Sequence, residues 1–578
     1  MRPLATICFI LLSAGSGLTQ QTTGATEQQL EALSEVLEES EIEDDTYLQQ
    51  LVYFQRHRIN INAVGAEDLQ VFRLLTPLQI QSLLAYRNLL GPFIDLHELQ
   101  AVPHWDVETI RKMLPYIRVD RKEEAPLINR LTAGEHQFLV RHSRLLQRQR
   151  GYDKSLANRY AGSRDKLLLR YIYQFQNILQ YGLTVEKDAG ETALKMFKNP
   201  FDFASVHLFM RYRGIVKAVA IGDYTVNLGQ GLVQWQALAF GKSSEVTSIV
   251  RQSAVIRPYS GAGEFYFNRG VAATLQKNRW EATVFASRRR LTANLQLDSV
   301  GSASVTSFNT AGLHRTRGEM AERKNVVQWS YGGKLSYKTP VFKMGINAVQ
   351  HHFSIPLQKQ PELHNLFAIQ GRQWANASID YTYTFKNLYL FGEAATDQKG
   401  FKAFLQGALA SLHPHVDVAL LYRNLSPAYQ TLYGHAFTES ALPTNEKGFY
   451  AGITIRPHPA WRLQAYADQY RFPWVRATIA APGGGADYLL QANYTPNKKV
   501  EAYLRLRIET KDASKPGADG IMNAVQAIPK QNIRLHLSYK INPPLTIRSR
   551  VEMVWYDRGG GLRRSLFNVC RRYVQALG

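Results

Sequence analysis

At 578 residues the chain is too long for one small core and long enough for two or more domains. Its formal charge of +22 is unevenly spread: residues 1–130 hold eighteen acids and eleven Lys/Arg, a balance of −7, so residues 131–578 carry +29. An acidic head on a basic body excludes a chain of uniform character, and two cysteines exclude a disulfide-stapled scaffold.

The chain opens MRPLATICFILLSAGSGLTQQ. Arg2 is a short positive region, Leu4 to Leu12 an apolar core too short to span a bilayer, and Gly17-Leu18-Thr19 offers small residues for cleavage. Residues 1–19 read as a secretory signal peptide, which leaves Cys570 as the one cysteine of the mature chain. No later stretch approaches about 18 continuous apolar residues, so no transmembrane helix is expected. Residues 20–55 form an acidic leader, partly helical or disordered, with Leu30, Leu33 and Leu37 on one helical face. Residues 56–120 form a compact helical unit. Thr76 caps a helix that has Pro77 at its first position, Asp95 caps LHELQ, and Asp106 caps VETIRKML before Pro115 stops it. Leu69, Phe72, Ile80, Leu83, Leu84, Leu99, Ile110 and Leu114 supply its core.

Beyond residue 130 the period changes to two. In VEAYLRLRI, Val500, Ala502, Leu504, Leu506 and Ile508 oppose Glu501, Tyr503, Arg505 and Arg507. KLLLRYIYQFQ (166–176), IRLHLSY (533–539) and LTIRSRVEMVW (545–555) alternate in the same way. Tight turns such as YKTPVF, FKNLY and RPHPAW join strand pairs, whereas long polar loops such as 290–325 and 425–446 separate them. Short turns on one side and long loops on the other mark an outer-membrane barrel over 131–560. The pattern gives about 18 strands between 163 and 556 and another at 136–148. A soluble all-β sandwich fits less well, because no helical layer covers the recurring apolar faces. Arg170, Arg505, Arg507, Arg534, Arg548 and Arg550 are expected in the lumen, either as a row selecting anions or paired with inward acids such as Glu501 and Glu552. Residues 561–578 read as an atypical, truncated tail, because alternation fails from Leu562 and no closing strand is expected.

INAVGAEDLQVFRLLTPLQIQSLLAYRNLLGPFIDLHELQAVPHWDVETIRKMLPYIRV resembles a tandem helix-hairpin-helix unit of the periplasmic competence DNA-receptor type. That resemblance implies a head that grips DNA phosphates through its hairpins. The candidate DNA- or partner-binding positions are Leu74, Leu75, Thr76 and Pro77 in the first hairpin and His104, Trp105 and Asp106 in the second. Leu74, Thr76, His104 and Asp106 stand where hairpin glycines are expected, and residues 59–119 hold six acids against five bases. Three roles for the head follow: binding DNA or another polyanion, docking a periplasmic protein, or acting as a plug or lid under the barrel. GDYTVNLGQGLVQW (222–235), RPYSGAGEFYFNRG (257–270) and GLHRTRGEMAERKN (312–325) resemble the barrel of a Bacteroidota-type outer-membrane family in which a helix-hairpin-helix unit precedes the strands.

The fold class expected is therefore α+β and multidomain, a small all-α tandem helix-hairpin-helix domain followed by a large antiparallel transmembrane β-barrel of about 18 or more strands. Signals of catalysis are poor. His97-Glu98 lacks a second histidine, adjacent His351-His352 point to opposite strand faces, and His314, Arg315 and Glu319 read as a polar loop. No catalytic residue, metal or cofactor is expected, and the chain reads as a non-enzyme. The expected function is binding or passing a polyanion such as DNA across the outer membrane; the alternative is an envelope scaffold whose head docks a periplasmic protein. Outer-membrane lipid is the third expected partner.

Overall fold

The computed structural model describes residues 46–120, 133–192, 201–212, 214–239, 241–516, 523–542, 545–557 and 562–574. The signal peptide and the Leu30–Leu37 helix lie outside them. The head comprises α1 (Thr46–Arg56), α2 (Ala66–Gln70), α3 (Pro77–Leu90), a 3₁₀ turn at Leu96–Ala101, and α4 (Val107–Met113). Its caps are those read from the sequence. Thr76 accepts from the Gln79 amide with Pro77 at the helix start, and Asp95 and Asp106 accept from the His97 and Thr109 amides. Gly91, at φ 95°, ends α3 in a conformation that L side chains resist. A parallel ladder pairs Ile59–Asn60 with Ile117–Arg118 and ties the two ends together.

Leu69, Phe72, Ile80, Leu83, Leu99 and Ile110 are buried in the head core, whereas Leu114 is exposed. Tyr47, Leu51, Tyr53 and Phe54 of α1 join that core, so the last part of the expected leader belongs to the head.

From Glu135–Arg144 to Leu562–Val574 the strands form one closed barrel. Among the described residues it contains twenty-three strand segments. Three short ones, Ile256–Pro258, Ala293–Leu297 and Ala303–Phe308, are bypassed by direct pairing of Val216–Val226 with Asn268–Lys277 and of Trp280–Leu291 with Val326–Lys338. Twenty antiparallel wall strands remain, an even number as expected of a barrel closed by hairpins. Eighteen of them lie between 163 and 556, as the alternation indicates, and one is Glu135–Arg144. The twentieth corrects the sequence reading: Leu562–Val574, expected to be a tail, is a strand paired along Leu545–Asp557, and with it the sheet closes.

The barrel exterior is apolar where the sheet is widest. Register places Leu335 beside Ile346 and Ile346 beside Ile379; on the far side Leu490, Leu506, Ile533 and Met553 are successive partners. All of these are exposed to the surroundings. At the short-turn end, Trp280 pairs with Tyr337, Phe342 with Tyr383 and Trp461 with Tyr494, an aromatic girdle below the aliphatic band. Left in water, each such aliphatic side chain would forgo about 1.5–3 kcal/mol of burial. A closed sheet satisfies every backbone group that lipid cannot. The protein is an outer-membrane β-barrel, with its short turns on the periplasmic side.

The lumen is less polar than expected. Residues 227–239, 241–255 and 426–445 fold inward. Leu228, Leu232, Val246 and Ile249 pack with Leu405, Leu409, Leu421 and Tyr450 of the wall in one internal core. Gly229 makes this possible: at φ 54°, a Cβ there would lie 2.5 Å from the Glu393 carboxylate, which accepts from the Gln230 and Leu232 amides. Charged pins hold the loops. Arg423 donates to Asp468 at 2.8 Å and pairs with Glu446, and Lys242 reaches Glu439 at 2.7 Å, Asp468 at 3.0 Å and Asp487 at 3.1 Å.

Candidate functional site at the head–barrel interface

The head does not hang free below the barrel. It sits in the periplasmic mouth, and its acidic side chains meet basic residues at the short-turn ends of the strands. One contact region forms around α2. Asp68 receives Arg211 at 2.5 Å and also bonds Asn177 in the turn after Asp165–Phe175. Glu67 receives Lys217 at 2.5 Å and lies 3.5 Å from Lys338, while Glu281 of the wall holds both ammonium groups at 2.8 and 2.6 Å. Glu67 and Asp68 occupy the first turn of α2, where the helix dipole also favours negative charge. Burial alone would raise the Glu67 carboxyl; the Lys217 and Lys338 charges outweigh it and hold it well below the usual carboxylate range.

A second region forms around α4. Asp106 caps the helix through one oxygen, accepting from the Thr109 amide at 2.6 Å, and pairs with Arg456 at 2.7 Å through the other. Glu108 receives Arg462 at 2.7 Å and Lys112 at 2.8 Å; Glu245 of the inward loop receives the other arm of Arg462 at 2.5 Å. Burial opposes ionisation of Glu108, but Arg462 and Lys112 prevail and lower its pKa. Deeper in the lumen, Arg170 donates to Gln49 at 2.7 Å and Arg257 to Gln50 at 2.8 Å, so α1 reaches well past the rim. The signs reverse at one point, where Arg56 and His57 of the head face Glu135 of the first wall strand at 3.2 and 2.6 Å.

Both hairpins face the wall. Leu74, Thr76, His104 and Asp106 line a cleft of about 60 Å³ whose other side includes Leu409, Asp417, Arg456 and Arg462. The turns keep left-handed residues without glycine, at Arg73 (φ 51°) and His104 (φ 68°). Leu75 is buried and its carbonyl accepts from Gln252 of the inward loop at 3.5 Å. Arg73 donates to the Leu238 carbonyl, and Pro77 is buried in the first turn of α3. Trp105 is buried and donates to the Gln79 carbonyl at 3.0 Å. Of the positions expected to meet DNA or a partner, Leu74, Leu75, Thr76, His104 and Asp106 meet the barrel, whereas Pro77 and Trp105 are buried in the head.

The arginines expected in the lumen are tied to neighbours. Arg505 donates to Gln491 at 2.6 Å, Arg507 to Asp487 at 2.8 Å, Arg534 to Glu552 at 2.9 Å and Arg548 to Ser538 at 3.4 Å. Arg550 stands opposite His536 in the same ladder. Of the acid pairings weighed, Arg534 with Glu552 is present; Arg507 takes Asp487 instead, and Arg505 and Arg548 bond amide and hydroxyl oxygens. The cations that face the head, Arg211, Lys217, Lys338, Arg456 and Arg462, were missed by sequence reasoning. Their signal was faint: each lies at a strand end beside a short turn.

On the extracellular side, Glu191, Asp202 and His314 bring one potential metal-ligand atom each within 4.8 Å of one another. His314 Nδ1 bonds Asp202, His314 Nε2 bonds Thr292 at 2.9 Å, and Arg323 caps Asp202 at 2.7 Å. Both ring nitrogens are engaged, so the cluster reads as a loop anchor. Arg315 and Glu319 pair with each other at 3.3 Å.

No protein-family model and no curated protein matches the sequence. Among solved structures the chain is similar to the outer membrane protein OpdK of Pseudomonas aeruginosa, at 9% identity and a TM-score of 0.28, over 71% of this chain and 91% of that one. It is similar also to Pseudomonas aeruginosa OccK3 (OpdO), at 9% identity and a TM-score of 0.29, over 76% and 94% of the two chains. With Acinetobacter baumannii OccAB3 the identity is 10% and the TM-score 0.29, over 72% and 93%. The fold of this chain stands on its own strand order and register.

Proposed function

We propose that the protein is a plugged outer-membrane channel. The barrel provides the passage and the helical head is its resident plug, latched into the periplasmic mouth. One observation carries this reading: four head carboxylates, Glu67, Asp68, Asp106 and Glu108, are spent on cations of the wall. A head built to hold DNA would leave its hairpins free and basic. The direct test is conductance in planar bilayers. The intact chain should conduct rarely, and a latch-reversed chain, Asp68→Arg with Glu108→Arg, should open often. If the reversed chain is as silent as the intact one, the head is a fixed lid and the plug reading fails.

A second reading, a scaffold whose head docks a periplasmic protein, is favoured by one patch. Leu89, Leu90 and Ile94 are 83%, 71% and 88% exposed around the end of α3. If that reading holds, Leu90→Asp with Ile94→Asp should abolish co-purification of a stoichiometric envelope protein and leave conductance unchanged.

A further inference from the structure

We infer that the head's carboxylates occupy the binding positions of an anionic cargo, so that a multivalent oxyanion, carrying phosphate or carboxylate groups, both releases the plug and is the solute the open channel favours. The inference rests on the plug reading and adds a substrate class and a release mechanism to it.

The two contact regions differ in access. Around α4 the interface is tight, with a cleft of only about 60 Å³. Around α2 a cavity of about 1690 Å³ separates head from wall. Three wall cations line it, Arg211, Lys217 and Lys338, and the head adds Arg56, Arg58 and Arg118. Four carboxylates share the space, and three of them, Glu67, Asp68 and Asp120, belong to the head and leave with it.

In the docked state each of the three wall cations has a carboxylate partner within 3.5 Å. With the head withdrawn, Glu281 alone faces the two lysines, and Arg211 loses Asp68. Along the α4 side Arg456 retains Asp417 at 2.6 Å and Arg462 retains Glu245 at 2.5 Å, each having lost one of two acids. The five wall cations then face Glu281, Asp417, Glu245 and Glu135, which loses Arg56 and His57, so the vacated mouth keeps an excess of positive charge. Rings of cations at a constriction select anions. A multivalent anion entering the larger cavity reaches the same ammonium and guanidinium groups that Glu67 and Asp68 hold, and displaces them by competition. A monovalent anion does so only at high concentration, by screening.

The test is conductance of the full chain in planar bilayers under a KCl gradient, with tripolyphosphate, citrate or spermine added on the periplasmic side. Correct barrel folding is checked by heat-modifiable migration on gels. Tripolyphosphate and citrate should each raise opening frequency at least several-fold, the comparison separating phosphate from carboxylate as the preferred group, and spermine should not. The reversal potential of open channels should lie toward that of chloride. Glu67→Gln with Asp68→Asn should open without polyanion and remain anion-selective, and Arg211→Gln with Lys338→Gln should shift the reversal potential toward potassium. Openings that are cation-selective or equally frequent with spermine would overturn the anion inference while leaving the plug intact. A neutralised latch that never opens, even at high salt, would overturn the plug itself.

Discussion

Arg462 is the best single place to loosen the head. Its guanidinium spans Glu108 of the head at 2.7 Å and Glu245 of the inward loop at 2.5 Å, and its side chain is 13% exposed. Arg462→Met keeps the aliphatic stem and removes the charge, which leaves Lys112 as the nearest cation for both carboxylates. Only the Glu108 bond crosses to the head, and one charge-assisted hydrogen bond is worth about 1.5–3 kcal/mol in a buried setting. Glu108 and Glu245 are about two-fifths exposed, so solvent screening brings the net effect on docking down to ~1–2 kcal/mol. That corresponds to a roughly 5- to 30-fold rise in the undocked fraction. A cysteine at Ser411, buried in the cleft between α4 and the wall, reports undocking through its maleimide labelling rate, with Cys570 replaced by serine. Labelling should accelerate about 5- to 30-fold in Arg462→Met, and Arg462→Lys should fall between the two. An unchanged rate would show that the Arg462–Glu108 pair contributes nothing to holding the head.

Other consequences concern pH, the lipid face and the loop anchors. Glu67 and Glu108 are held below the usual carboxylate range by their cationic neighbours, so their contribution to docking is complete above the free-carboxylate value of about 4.3 and is lost as pH falls through the lowered values. Labelling at position 411, normalised to an exposed turn cysteine, should rise between pH 5 and strongly acid conditions, and slower labelling in acid would contradict the sign. Ile346→Arg, placed between Leu335 and Ile379 in the apolar band, should cost about 2–4 kcal/mol of folding free energy into lipid vesicles; a change under about 0.5 kcal/mol would place this face out of lipid. Arg423→Met leaves Glu446 without its cation and Asp468 with Lys242 alone, and should cost about 3–5 kcal/mol, read as chymotrypsin cleavage appearing at Tyr429, Tyr433 or Phe437 of the inward loop while the wall stays protected; resistance equal to the parent chain would remove Arg423 as an anchor.

Local rules made much of this fold legible. Thr76, Asp95 and Asp106 cap the helices they precede because capping is decided within three residues. The wall strands show in the alternation of Leu504, Leu506 and Ile508 with Arg505 and Arg507 because lipid and lumen impose opposite polarities. Leu562–Val574 escaped that logic. Its doubled arginines, Arg563-Arg564 and Arg571-Arg572, break the period of two, yet its backbone pairs in full register with Leu545–Asp557. A plug under the barrel was among the expected roles, but the residues that seat it escaped because no local rule links Asp68 to Arg211 or Glu108 to Arg462, partners 143 and 354 residues apart. Charge gave a coarse hint, since an acidic head and a basic body attract. The 425–446 loop reads as polar in the sequence, and no local rule marks NLGQGLVQW as inward, although Leu228, Leu232 and Val233 are its packing residues.

The seat of the head in the periplasmic mouth is tested most directly by crosslinking within the native outer membrane. Asp68→Cys and Arg211→Cys place two thiols at partners of one ion pair, with Cys570 replaced by serine. A short bismaleimide should join residues 68 and 211 of the same chain, identified by mass spectrometry of the linked peptides, with yield falling as salt or polyanion is raised. If both thiols react with a monofunctional maleimide yet no intrachain link forms at any ionic strength, the head does not occupy the mouth and the plugged-channel account is wrong.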